Sequence, residues 1–302
     1  MAAAHRVAPR LRVRARAGDQ AREPVVLLHG GPGTPAEGIS ATGRALAAAG
    51  FDVYSYDQLG SGRSTRLDDP SGYTVARHVA DLEAVRDRLG AGKLVLVGQS
   101  WGGSLAAQYL AAHPDRVARA VFASPGELWP RAWRDGVGEP RLNRAQRDRR
   151  DDLVTSPRLL LASALLSVNP RAAHDFLGDA EADRRMREIG VAIKDATGCP
   201  GAPPAAVHDN PPGFYANQRT VADFDDVPDP RPALRAVRVP ALVLRGECDY
   251  IKEAVTAEYT AVLAGATLVT VPGAGHNIAA ARPDAHRDLI TAFLLDEPLP
   301  QP

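Results

Sequence analysis

Cysteine is almost missing from this 302-residue chain. The two present, Cys199 and Cys248, make neither a disulfide framework nor a zinc quartet, and they suit a reducing compartment. Net charge is missing too: 36 Lys+Arg balance 36 Asp+Glu. A dedicated nucleic-acid binder would show a basic excess, so no nucleic-acid partner is expected. Long apolar runs are absent. Nothing approaches the roughly 18 residues of a membrane-spanning helix, which excludes that kind of membrane partner. The first 19 residues carry Arg6, Arg10, Arg12, Arg14 and Arg16 without the apolar run of a secretory leader, so the expected location is cytoplasmic. No His, Asp or Glu cluster has ligand spacing, so no metal is expected, and no cofactor. Aromatic residues make up 5%, and Trp101, Trp129 and Trp133 stand out for it. What the chain does have is 45% hydrophobic residues, ordinary for a globular protein and too many for a disordered one.

Those apolar residues come in short continuous runs at 25–28, 51–56, 93–97, 118–123, 241–245 and 267–271. Such runs suit strands covered on both faces. Helical patterns lie between them at 36–49, 74–89, 100–113, 253–263 and 283–294. The alternation predicts an α/β fold, a doubly wound and mostly parallel sheet. Leu11, Val13 and Ala15, alternating with arginines, predict an antiparallel edge strand with one wet face. Between 126 and 236 the alternation stops. Twelve of the 25 prolines fall there, among helical stretches at 157–168 and 179–193. Strand signals then resume. The expected organisation is a core of 1–125 and 237–302 with an inserted helical cap, 126–236. Trp129 and Trp133, four apart, are expected on one face of a first cap helix, walling an apolar pocket or anchoring the cap.

The strongest chemical signal is Gly98-Gln99-Ser100-Trp101-Gly102-Gly103. A Gly-x-Ser-x-Gly between a strand and a helix is a nucleophile elbow: only small residues fit two positions either side of the serine. The helix N-terminus adds positive partial charge where an oxyanion would develop. His29-Gly-Gly-Pro-Gly33 follows another strand, and the N–H groups of Gly31 and Trp101 could form an oxyanion hole. His29 is read as a structural hydrogen-bonding residue. In such sites the acid and then the histidine follow the serine along the chain. Asp249 and His276 each follow a late strand, where sites of this kind gather. Glu247 competes with Asp249 for the acid role but sits earlier in the turn. The remaining histidines (5, 78, 113, 174, 208 and 286) read as solvated or core-edge residues.

With His29-Gly-Gly-Pro-Gly33, Asp57-Gln-Leu-Gly-Ser-Gly-Arg-Ser64 and Ser100-Trp101-Gly102, the chain resembles the α/β-hydrolases, and within them the proline iminopeptidase (prolyl aminopeptidase) group. The resemblance implies an α/β-hydrolase fold with a helical cap. It makes Ser100, Asp249 and His276 the triad, Gly31 and Trp101 the oxyanion hole, and 57–64 a structural loop beside the site. Two positions depart from the group: Gln99 stands where it usually has Gly, and Tyr250 where some members carry a Glu that binds the substrate amine. Carboxylates left to bind an amine are Glu127, Asp223, Asp225 and Asp226. The expected substrate-binding residues are Trp129, Trp133, Tyr215, Asp223, Phe224 and Tyr250.

The function expected is a serine hydrolase acting on an amide with a small N-terminal aminoacyl group, in a short peptide or an aminoacylated small molecule. An esterase or lactone hydrolase on an apolar acyl substrate is the alternative. A non-hydrolytic cyclase or lyase, or a receptor, on the same scaffold is a third reading, since fold alone does not fix function.

Overall fold

The computed structural model describes the backbone of residues 11–13 and all of residues 22–202, 206, 207 and 209–302. Ala15, His5, His208 and most of the arginine-rich start therefore lie outside the described residues. Seven strands form one sheet in the order β1-β3-β2-β4-β5-β6-β7. They are β1 (Leu11–Val13), β2 (Val25–Leu28), β3 (Val53–Tyr56), β4 (Leu94–Gln99), β5 (Val117–Ala123), β6 (Ala241–Gly246) and β7 (Thr267–Val271). Every neighbouring pair is parallel except β1 with β3, which is antiparallel, as the edge-strand reading requires.

The apolar runs are continuous because both faces are covered. On one face Leu82, Val85, Leu105, Leu110, Tyr259 and Val262 come from the helices Val75–Arg88, Trp101–Ala112 and Glu253–Val262. On the other, Leu46, Leu289, Ile290 and Leu294 come from Ala41–Ala48 and Pro283–Leu294. The first helix starts five residues later than the sequence suggests. Asp57 Oδ1 takes the Ala36 N–H at 3.0 Å, and the Ser40 hydroxyl caps Gly43 N–H at 3.1 Å, so helix begins only after Ser40.

Between β5 and β6 the chain leaves the sheet for the helices Arg144–Val154, Pro157–Val168, Pro170–Leu177, Asp179–Ile193 and Phe214–Phe224. Leu159, Ala162, Leu166, Ala173 and Leu177 form a small core there, continuous with Leu59 and Tyr73 from outside the insertion. The expected tryptophan helix does not form. Only a 3₁₀ turn, Pro130–Ala132, separates the two residues, and their indoles go to different partners: Trp129 Nε1 to Val227 O and Trp133 Nε1 to Glu258 Oε2. The cysteines correct the sequence reading as well. Cys199, in the insertion, is bonded to Cys248, just after β6, with Cα atoms 5.1 Å apart. A separation of 49 residues leaves no spacing signal, and a bonded pair is what an oxidising compartment favours. The cysteine argument for a reducing compartment therefore falls. Among the described residues no helix is long and apolar enough to cross a membrane.

Candidate active site

Ser100 sits at the tip of β4, at φ +53° and ψ −123°. This strained backbone is held by two close approaches. A Cβ on Gly98 would lie 2.2 Å from Gly102 O, and one on Gly102 would lie 2.2 Å from Leu28 O. Both positions therefore exclude a side chain, which is the physical content of the elbow motif. The helix beginning at Trp101 leaves its first N–H groups without intrahelical partners.

β6 and β7 deliver the other two polar groups. A Cβ on Gly246 would meet Gly275 O at 2.2 Å, so the two strand ends are pressed together. His276 Nδ1 lies 2.9 Å from Asp249 Oδ1, and its Nε2 lies 2.9 Å from Ser100 Oγ. Ionised Asp249 can only accept, so Nδ1 carries the proton and Nε2 presents a lone pair to the serine hydroxyl. Asp249 Oδ1 also accepts the Ile251 N–H at 3.0 Å. Burial pushes the Asp249 carboxyl up, but the hydrogen bonds from His276 and the Ile251 N–H outweigh it and hold it below the usual value. The insertion reaches this point too, where His276 N–H donates to Thr197 O at 2.9 Å. Glu247 is exposed and turned away, its Oε2 accepting the Gly273 N–H.

Ser100, Gly31 and Trp101 open on one cavity of about 290 Å³, walled by Pro32, Phe224, Tyr250 and Ile251, with Glu127 and Asp225 also on its wall. Burial first, and then the charge of Asp225, pushes the Glu127 carboxyl above its ordinary value. Among the described residues neither carboxylate is in an ion pair with a Lys or Arg. Tyr250 packs against His276 with ring centroids 4.5 Å apart and planes tilted by 44°, and burial raises its phenol to about 12. An adjoining pocket shares Glu127 and Asp225 and adds Trp133, Arg131 and Arg134.

The structure thus gathers Ser100, Asp249, His276, Gly31, Trp101, Phe224 and Tyr250 and places Trp133 on the adjoining pocket. The other three expected binding residues lie elsewhere. Asp223 accepts the Val75 N–H at the start of a helix, Tyr215 donates to Ala173 O in the insertion's core, and Trp129 lies under the Arg231 guanidinium. Val137, Gly138, Val221 and Ile251 line the cavity without a motif to mark them. Glu127 did carry a signal, since it follows the turn at the end of β5, where α/β sites collect. His78, read as a solvated or core-edge residue, is fully buried and hydrogen-bonded to Thr220 Oγ1. Among the described residues no three His, Cys, Asp or Glu side chains converge as a metal ion requires.

The α/β hydrolase fold family profile matches residues 23–282. A proline iminopeptidase of Lactobacillus delbrueckii subsp. bulgaricus is 40% identical over 114 residues, 36% of this chain and 39% of the relative. One from Heyndrickxia coagulans is 38% identical over 109 residues, 35% and 37% of the two chains. The sequence matches thus span well under half the length of these relatives. Among solved structures, a Mycobacterium smegmatis proline iminopeptidase superposes with a TM-score of 0.59 at 22% identity, covering 95% of this chain and 93% of its own. A Burkholderia xenovorans LB400 enol-lactonase gives 0.58 at 22%, covering 94% and 96%. At that identity the superpositions speak for the fold alone. The chain belongs to the α/β hydrolase fold family.

Proposed function

We propose that this α/β hydrolase is a serine hydrolase that cleaves an amide bearing a small, free aminoacyl group. Residues 126–236 act as the cap over a core made of 1–125 and 237–302. Ser100 Oγ attacks the substrate carbonyl as its proton passes to His276 Nε2, and Asp249 stabilises the imidazolium. The N–H groups of Gly31 and Trp101 receive the oxyanion. The intermediate collapses to an acyl-enzyme, and the departing amine takes the proton from His276. A water, deprotonated by the same nitrogen, then hydrolyses the ester and restores Ser100. No cofactor enters the scheme.

The observation that carries the amine reading is the pair Glu127 and Asp225, unpaired carboxylates on the wall of a small cavity that also holds Ser100. A substrate ammonium enters a desolvated pocket only against such a partner. The apolar walls Pro32, Phe224 and Ile251 favour the second reading, an esterase or lactone hydrolase.

Turnover of free and N-acetylated aminoacyl amides separates the two. The free amine is expected to be cleaved and the acetylated one poorly. Glu127→Gln should raise KM for the free amine about tenfold while sparing a neutral ester. Because the Glu127 pKa is raised, acid should protonate it and raise that KM at a higher pH than an ordinary carboxylate would. Ser100→Ala should lower kcat by about 10⁴-fold. Equal cleavage of free and acetylated substrates would sink the amine reading.

A further inference from the structure

Gln58 belongs to the loop that the sequence marks only as structural, yet it is bonded both to His29, two residues before Gly31, and to the side chain of Trp101. The residue is 1% exposed, and three of its hydrogen bonds lead toward the site. Its backbone N–H donates to His29 Nε2 at 2.8 Å, its side-chain Nε2 donates to His29 O at 2.9 Å, and its Oε1 accepts from the Trp101 indole Nε1 at 2.9 Å.

Each bond has a directional consequence. Because His29 Nε2 accepts, its Nδ1 carries the proton, and Nδ1 faces Gly30 O at 3.0 Å. Burial keeps this ring neutral, with its pKa lowered to about 4. The Gly30 carbonyl and the Gly31 N–H belong to one trans peptide plane and point in opposite directions. Holding Gly30 O therefore aims the Gly31 N–H. On the other side, the Oε1 bond fixes the indole of Trp101, the residue whose backbone N–H is the second donor. Asp57, the preceding residue, holds the Ala36 N–H at 3.0 Å, so the far end of the same turn is tied as well.

We propose that Gln58 is a positioning residue for the oxyanion hole, coupling the Gly31 and Trp101 donors through His29 on one side and the Trp101 indole on the other. A side-chain amide can donate to a carbonyl and accept from an indole at once, and the Met side chain can do neither. Gln58 and Trp101 therefore act as one unit. The inference rests on the serine-hydrolase reading above.

The test compares wild type, Gln58→Met, Trp101→Phe and the double variant on one chromogenic substrate, together with the rate of labelling by a fluorophosphonate. Gln58→Met should lower kcat by about 10²-fold, the scale of a misplaced oxyanion donor, with KM changed by less than about twofold. Trp101→Phe keeps a ring against His78 and Phe224 but breaks one link, and should lower kcat about tenfold. The double variant should be no worse than Gln58→Met, because both changes cut the same connection. Labelling rates should fall in parallel with kcat. An unchanged kcat, a loss confined to KM, or additive losses would overturn the coupling. Where Gln58→Met does not fold, Trp101→Phe decides alone. A wild-type protein that takes no label, with Ser100→Ala as active as wild type, would overturn the serine reading itself. Labelled wild type with unaffected Gln58 and Trp101 variants would overturn only the coupling.

Discussion

Asp249 and Glu247 stand two residues apart in one turn, and their surroundings separate them completely. Asp249 is 4% exposed and bonded to His276, whereas Glu247 is exposed and only accepts a backbone N–H. Asp249→Asn should therefore lower kcat by about 10⁴-fold, because Asn favours the wrong histidine tautomer. Glu247→Gln should stay within about threefold of wild type, as surface changes away from a site do. Steady-state kinetics on both variants check this, and equal losses would mean that the acid has been misassigned. At this scale the sequence was informative wherever chemistry follows a strand end. Ser100, Asp249 and His276 each follow one, and the structure brings them within hydrogen-bonding distance. Asp223 and Tyr215 lie away from the cavity because their side chains are spent on partners that no local pattern reveals. Asp223, for example, caps a backbone N–H 148 residues away.

Elements were legible in proportion to how continuously they are buried. β4 and β6, covered on both faces, read directly as apolar runs. The start of Ala41–Ala48 did not, because a carboxylate from another loop claims the Ala36 N–H. The turn at Pro130–Ala132 did not either, since helical spacing of two tryptophans carries no information about a proline-led 3₁₀ turn. The tie between the insertion and β6 was the least visible. Cys199–Cys248 fastens the stretch whose Thr197 carbonyl holds His276 N–H. Replacing both cysteines by serine should lower stability by about 2–4 kcal/mol. Wild type in reductant should then match the variant. Urea midpoints with and without reductant measure this, and a variant as stable as oxidised wild type would refute it.

Across the whole molecule, acid should act chiefly through histidines that the fold keeps dry. Burial lowers His29 to about 4, His78 to about 3 and His286 to about 4. Above about 6.5, the ordinary value, all three are neutral in native and unfolded chains alike. As the pH falls from there toward 4, the unfolded chain takes up protons that the native histidines refuse. Stability is therefore full at neutral pH and declines through that window, by at most about 4 kcal/mol per pH unit if all three contribute fully. Urea midpoints measured from about pH 7 to 5 should fall steadily. His286→Gln, which can still meet the Thr42 hydroxyl, should flatten the slope by about one proton. A flat profile would show that the buried histidines titrate normally.

The excursion between β5 and β6 also sets a timetable for synthesis. β5 ends at Ala123, and its outer neighbour β6 does not begin until Ala241. A ribosome adding about 5–20 residues per second spends on the order of ten seconds between them. Throughout that interval the nascent sheet carries an open, apolar edge at its middle, an invitation to pairing with the wrong chain. On the proposed mechanism, the serine emerges into the same interval without its histidine, so the growing chain would hold an inert hydroxyl. On that mechanism reactivity would arrive only with residue 276, after β6 has closed the edge.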